Sequence, residues 1–421
     1  MLLTAFRSAA LALAALPLHG LSAPLALDDA LRLAEQRSLQ LPAEDAAAAA
    51  ARDMAIAAAQ RPDPVLRAGI DNLPVNGPDR FSLTRDFMTM RSIGVMQEWT
   101  RRDKLQARAA RFEREAEVAE ANRQLALANL QRDTAIAWLE RHYLARMRGI
   151  LVQQRSEAQL QVQATDAAYR GGRGAQADVF AARTALTQID DRLAAAEREL
   201  LGARTMLGRW VGSAADDEIG PPPDMKAVRL REEDLDTALQ HHPEIAVLQR
   251  QEAVARAEAD AARANKRPDV NVELMYSQRG PSYSNMVSIG VSMPLPWDQS
   301  NRQDRELAAK LAAVERARAL REEQTRMHVA EARLLLQQWR SQRERLQRYE
   351  AELLPLAAER VAATLAGYRG GGTPLAGVLD ARRAELDTRM DRLRLEMESA
   401  RLWARLNYLV PAAHGNAENA Q

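Results

Sequence analysis

The sequence predicts a mainly α-helical protein with a transmembrane β-barrel portion, built from two copies of a unit in which long antiparallel helices carry a β-hairpin. Three observations predict it. Apolar residues make up 47% of the 421 residues but aromatics only 4%, a mixture typical of long helices packed side by side rather than of an aromatic-rich enzyme core. The chain repeats itself in order. One segment in each copy alternates apolar and polar residues with the period of two that marks a strand.

The repeat is the strongest of these. Residues 168–183 read AYRGGRGAQADVFAAR and residues 367–382 read GYRGGGTPLAGVLDAR, aligned without a gap at an offset of 199. Leu27-Asp28-Asp29-Ala30-Leu31 parallels Leu235-Asp236-Thr237-Ala238-Leu239, and Arg61-Pro62-Asp63 parallels Arg267-Pro268-Asp269. Ser92-Ile93-Gly94-Val95 parallels Ser288-Ile289-Gly290-Val291. Matched blocks in the same order divide the chain into repeats at 27–213 and 235–411, joined by a linker at 214–234 that holds Pro221-Pro222-Pro223.

Ahead of the repeats, Arg7 precedes an apolar run from Ser8 to about Pro17, followed by small residues around Ser22, Ala23 and Ala26. This pattern predicts an export signal over residues 1–23, cleaved somewhere in 22–26. The first repeat then reads as a helix at 27–61, a β-hairpin at about 64–98, a long helix at 101–170, a tip turn at 171–174 and a helix at 175–213. The helices rest on richness in Ala, Leu, Arg and Glu and on apolar recurrence such as Leu125, Ile136, Leu139, Tyr143, Met147 and Ile150. The second repeat follows the same plan: helix 235–267, hairpin about 269–297, long helix 301–369, tip turn 370–373, helix 374–411, with a flexible tail at 412–421. In each copy the two shorter helices together match the long one, so the simplest packing sets one continuous helix of about 105 Å beside two stacked ones.

Within the second hairpin, Val270, Val272, Leu274 and Tyr276 alternate with Asn271, Glu273 and Met275. After the turn Arg279-Gly280-Pro281-Ser282, Val287, Ile289, Val291 and Met293 alternate with Ser288, Gly290 and Ser292. This is the apolar-out, polar-in alternation of a membrane barrel. The first hairpin is weaker, with Ala68 and Ile70 before Asn76-Gly77-Pro78 and then Met88–Gln97. Trp99 and Trp297 follow the second strand of each hairpin, where an interfacial aromatic belt belongs. Four strands do not close a membrane barrel, whose smallest forms have about eight strands. The chain therefore has to associate with copies of itself, and periodicity leaves 8, 12 and 16 strands in total equally open.

The chemistry-bearing residues are sparse. There is no cysteine, which excludes disulfides, thiolate metal centres, a cysteine nucleophile and a lipid-modified N-terminal cysteine. With 58 basic and 57 acidic side chains the net charge is +1, which gives no whole-chain attraction to nucleic acid. Gly-Gly-Arg-Gly lacks the lysine of a phosphate-binding loop, and nothing in the sequence calls for a cofactor. Met88, Met90 and Met96 are thioethers of the kind that suits Cu(I) or Ag(I), with Met275, Met286 and Met293 in the other hairpin. Methionines at alternate strand positions more often pack or face lipid, so these are weak candidates and no metal site is assigned. His241-His242 before Pro243 reads as a solvated pair at a helix start.

An export signal, a duplicated helix–hairpin–long helix–turn–helix unit and paired Tyr-Arg-Gly-Gly motifs resemble the TolC-like outer-membrane efflux proteins. The stretch from Asp71 to Trp99 and Met293-Pro294-Leu295-Pro296 resemble the heavy-metal cation efflux branch. The resemblance implies a homotrimer in the outer membrane of a Gram-negative bacterium, sharing one 12-stranded barrel in outer-membrane lipid, with an α-helical tunnel in the periplasm; the lack of cysteine predicts no N-terminal lipid anchor. It implies a passive exit duct, not an enzyme, for heavy-metal cations, served by a periplasmic adaptor (a membrane fusion protein) and a proton-driven RND-type pump of the inner membrane. A drug or type I secretion duct of the same fold, and a periplasmic coiled-coil adaptor, are the alternatives. It also implies that Gly171, Gly172, Gly174, Gly370, Gly371 and Gly372 form tips that meet the adaptor, and that Asp178, Tyr368 and Asp380 form a periplasmic gate. The chain departs from that gate pattern at Gly377, where a second acid might stand, and at Thr373, where a basic residue might. Read from the residues alone, Asp178 and Asp380 are acids in first helical turns, favoured by the helix dipole.

Overall fold

A computed structural model describes residues 24–230, 232–235 and 242–412. The export signal at 1–23, Asp236 to Leu239 of the repeat block, His241 and the tail from residue 413 lie outside the described residues.

The first helical stretch is two helices, α1 (Leu27–Arg37) and α2 (Gln40–Ala58), where the sequence predicts one. Pro42 explains the break. In a continuous helix its ring would strike the carbonyl of Ser38 and leave that carbonyl without a partner. Ser38 instead turns to extended geometry, and its hydroxyl accepts the N–H of Leu41 at 3.4 Å. The chain then forms β1 (Val65–Asp71) and β2 (Met90–Trp99), followed by α3 (Arg102–Arg170) of 69 residues and α4 (Gln176–Val211).

The second copy begins its described part with α5 (Pro243–Asn265), β3 (Val270–Gln278) and β4 (Met286–Ser292). Its long helix runs as α6 (Gln303–Arg348), one wide π-turn (Tyr349–Leu353) and α7 (Leu354–Arg369), not as one regular α-helix. Pro355 is the cause: its ring faces the carbonyl four residues earlier, and the wide turn makes room for it without breaking the helical path. The chain ends in α8 (Leu375–Asn407).

Helix α3 is the spine. Its first half lies between α2 and α5, tied by Arg123–Asp45 at 2.8 Å and Arg250–Glu117 at 2.9 Å. Its second half lies between α4 and α8, tied by Arg148–Glu197 at 3.0 Å and Arg146–Glu396 at 3.3 Å. Neighbours on several sides bury residues all around it, which is why no single apolar stripe runs its length.

The core sits at the waist of the rod, around Trp138, Leu139, Leu207, Leu393 and Ala404. The N-terminal segment and the linker wrap it. Leu25 pairs with Ile219 in a parallel bridge, and the buried Trp138 indole N–H donates to the Leu25 carbonyl at 3.0 Å. The Trp403 indole N–H donates to Ala227 at 3.0 Å. Ala412, expected in the free tail, is held: its N–H donates to Gln131 Oε1 at 2.8 Å, and its carbonyl accepts from Gln131 Nε2 at 3.1 Å.

His242 corrects another expectation. It is 7% exposed and caps α5, its Nδ1 accepting the Glu244 N–H at 3.3 Å. Burial, helped by the neighbouring His328, pushes its pKa down to about 4, so the ring is neutral.

Candidate channel elements: the barrel sheet and the tip turns

The four strands form one antiparallel sheet in the order β1-β2-β3-β4, with β2–β3 joining the two copies. The register sorts side chains by face. Leu66, Val95, Leu274 and Ile289 line up across all four strands, and Ala68, Ile93, Tyr276 and Val287 form the next row. On the opposite face the rows are Val65–Met96–Glu273–Gly290, Arg67–Gly94–Met275–Ser288 and Gly69–Ser92–Ser277–Met286. One face is thus apolar and exposed, with Ile289 at 76% and Leu66 at 68% exposure, and the other is polar. Arg67 reaches Glu273 at 3.1 Å on that polar face. The intervening position is Gly94, where an added Cβ would lie 2.9 Å from the Leu274 carbonyl.

The strand methionines fall on the polar face, not the apolar one: Met90, Met96, Met275 and Met286 share it, while Met88 lies in the loop before β2. The structure does not gather Met88, Met90 and Met96 into one ligand set. Met90 and Met96 are six residues apart on one strand, or about 20 Å.

Trp99 is the last residue of β2 rather than a residue beyond it, half-exposed on the apolar face, with the Arg61 guanidinium 4.4 Å over its ring. Trp297 follows β4 and is 90% exposed. Both stand at the end of the sheet where strands feed long helices. Sequence reasoning missed the joint just beside them. Asp269 accepts from the Lys104 ammonium at 2.8 Å and from the Arg101 N–H at 3.1 Å, so it fastens the start of β3 to the start of α3. The repeated Arg-Pro-Asp motif was the signal that pointed there.

At the other end of the rod, the two tips are built alike. In the first, the Gly172 N–H donates to Tyr169 at 3.0 Å and the Arg173 N–H to Ala168 at 2.9 Å. In the second, the Gly371 N–H donates to Tyr368 at 3.1 Å and the Gly372 N–H to Gly367 at 2.9 Å. Each is a Schellman turn, which satisfies the last carbonyls of a helix through one left-handed residue. That residue is Gly172 at φ 69° and Gly371 at φ 79°. Only these two of the six tip glycines need glycine for backbone reasons; Gly171 and Gly370 lie at φ −81° and −78°. Space across the turn is shared reciprocally. Ala168 faces Gly174, where an added Cβ would lie 3.3 Å from the alanine methyl, while the equivalent Gly367 faces Thr373, whose hydroxyl an added Cβ would overlap.

Of the gate candidates, Asp178 is at the third position of α4 and accepts the Ala175 N–H at 3.4 Å. This explains Gly377. The equivalent of Ala175 is Pro374, which has no N–H to cap. Asp380 is not in a first turn: α8 has no acid there, and Asp380 is exposed one turn further on, beside Leu379 and Arg383 in a cavity of about 320 Å³ between α3, α4 and α8. Tyr368 is half-buried in the last turn of α7. Among the described residues no hydrogen bond within the chain joins Tyr368 to Asp178 or Asp380, so a gate built from them requires contact between copies.

Comparison with known proteins agrees with this geometry. Residues 235–410, essentially the second repeat, match the family described as outer membrane efflux protein. No curated protein matches the sequence. The fold is similar to that of the outer-membrane channel OprN (20% identity, 92% of this chain and 90% of that one, TM-score 0.75). It is also similar to the outer membrane protein VceC from Vibrio cholerae (18% identity, 91% and 95%, TM-score 0.75) and to CusC (16% identity, 92% and 92%, TM-score 0.71). The chain has the TolC-like outer-membrane channel fold over its length, and its second repeat matches the outer membrane efflux protein family.

Proposed function

We propose that the protein is the outer-membrane exit duct of a tripartite efflux system, carrying heavy-metal cations from periplasm to exterior. The observation that carries the reading is the sheet: a central apolar face fit for lipid, an opposite polar face, and two edges, β1 and β4, that pair with no other strand among the described residues. Exposed edges are a hazard unless another chain covers them. Three copies joined β4 to β1 would close twelve strands around a lumen lined by Arg67, Glu273 and the serines. The same chains continue into helices about 100 Å long, ending in matched tips that suit docking by an adaptor's helical hairpins. The duct is passive, so energy comes from an inner-membrane pump, and cargo choice lies upstream of a wide tunnel. The resemblance of Asp71–Trp99 to the heavy-metal branch supports the cation cargo, and thioethers on the lumen face offer soft contacts there.

Deleting the protein should raise sensitivity to at least one of a panel of heavy-metal cations, and complementation should reverse it. Sensitivity to organic compounds but to no metal would overturn the cation cargo and favour the drug duct.

A further inference from the structure

We propose that His242, Glu244 and His328 form a binding site for a divalent first-row transition cation of the zinc class, which clamps the head of α5 to α6 at the waist of the rod. The three side chains each offer one ligand atom, and these atoms lie within 4.8 Å of one another. His328 Nε2 already faces Glu244 Oε2 at 3.0 Å. Metal–ligand distances of about 2.0–2.2 Å place two ligands of one tetrahedral ion about 3.3 Å apart, so that pair stands at coordination spacing. The His242 ring stacks on His328 at 4.8 Å between centroids and 29° between planes, and needs only a small side-chain rotation to join.

The surroundings suit a metal better than a bare cluster. Glu331 Oε2 lies 3.4 Å from His328 Nδ1, the other nitrogen of the ring. A carboxylate behind a ligating histidine fixes its tautomer and orientation. With Nδ1 directed at Glu331, Nε2 is the ring atom that would share a cation with the Glu244 carboxylate, and the Gln324 amide nitrogen lies 3.4 Å from it. Gln324 braces the group, its amide nitrogen 3.2 Å from Glu244 Oε1. The site opens to a cavity of about 400 Å³ that also holds Arg132, Asp133 and Arg405. Of these, Arg132 is paired with Asp133 at 2.8 Å. Two imidazoles and a carboxylate are the donor set of zinc and its neighbours, not of magnesium or calcium.

This inference does not rest on the duct reading, since it concerns the helices rather than the lumen. The test is calorimetric titration of Zn²⁺ into tag-free, chelator-stripped full chain in detergent, paired with thermal unfolding. Wild type should bind one ion per chain and melt at higher temperature with zinc. His328→Gln and Glu244→Gln should each weaken binding by at least a hundredfold and lose the zinc-dependent rise in melting temperature. The milder Glu331→Gln should weaken it about tenfold, and His414→Ala should change nothing. Absence of saturable binding by wild type would overturn the site. So would unchanged affinity in Glu331→Gln together with Glu244→Gln, with circular dichroism like that of wild type.

Discussion

Ile289→Lys, or Leu274→Lys, should keep the protein out of the outer membrane, whereas Ser288→Lys should not. Ile289 and Leu274 are directly paired and lie in a central apolar row of the sheet. A lysine near the bilayer midplane of a barrel costs about 2–4 kcal/mol, and threefold assembly would repeat that cost in each copy. Ser288 is one residue away on the polar face, opposite Met275, where a lysine meets lumen water and Glu273 nearby. The readout is the amount of protein in the outer-membrane fraction and its heat-modifiable migration on gels. Equal loss from Ile289→Lys and Ser288→Lys would show that strand damage, not the lipid face, is responsible.

Asp269→Ala should be the most destabilising single change at the joint between sheet and helices, by about 3–5 kcal/mol. The Lys104 side chain is only 6% exposed and that of Asp269 16%. Removing the carboxylate leaves the ammonium buried without its counter-charge and the Arg101 N–H without its acceptor. The sign reverses for a matched replacement: Lys104→Met with Asp269→Leu removes both charges and should recover most of the loss, because apolar pairs of similar volume replace buried ion pairs at little cost. The urea midpoint of the purified protein measures both. A loss under about 1 kcal/mol for Asp269→Ala would place this pair among ordinary surface ion pairs.

What was legible in the sequence follows from how local the causes were. Helix type and the tip turns depend on nearby residues, and the duplicated Tyr-Arg-Gly-Gly motif marked both Schellman turns directly. Alternation in Val270–Tyr276 and Val287–Met293 marked the strands and their faces for the same reason. The breaks were legible too in principle, since Pro42 and Pro355 sit where the helix splits or widens, but composition alone outweighed them. Long-range pairing was hidden. Nothing near His242 announces His328, 86 residues away along the chain, so a buried capping histidine looked solvated. Lys104 and Asp269 are 165 residues apart, and the absence of a counterpart to Asp178 at Gly377 is explained only by Pro374, which has no N–H to cap. Tyr368, Asp178 and Asp380 stay proposals for contacts between copies.

Closure of the sheet through its two edges by three copies is the central claim, and the cysteine-free chain offers a direct test. One cysteine is placed on β1 and one on β4, scanned over Val65–Asp71 against Met286–Ser292, and the protein is oxidised in the membrane. Within one sheet these strands are three spacings apart, about 14 Å, too far for a disulfide inside a chain. The account predicts that one register yields covalent dimers and trimers on non-reducing gels and nothing larger. Absence of cross-links at every register, or a ladder running past three chains, would contradict it.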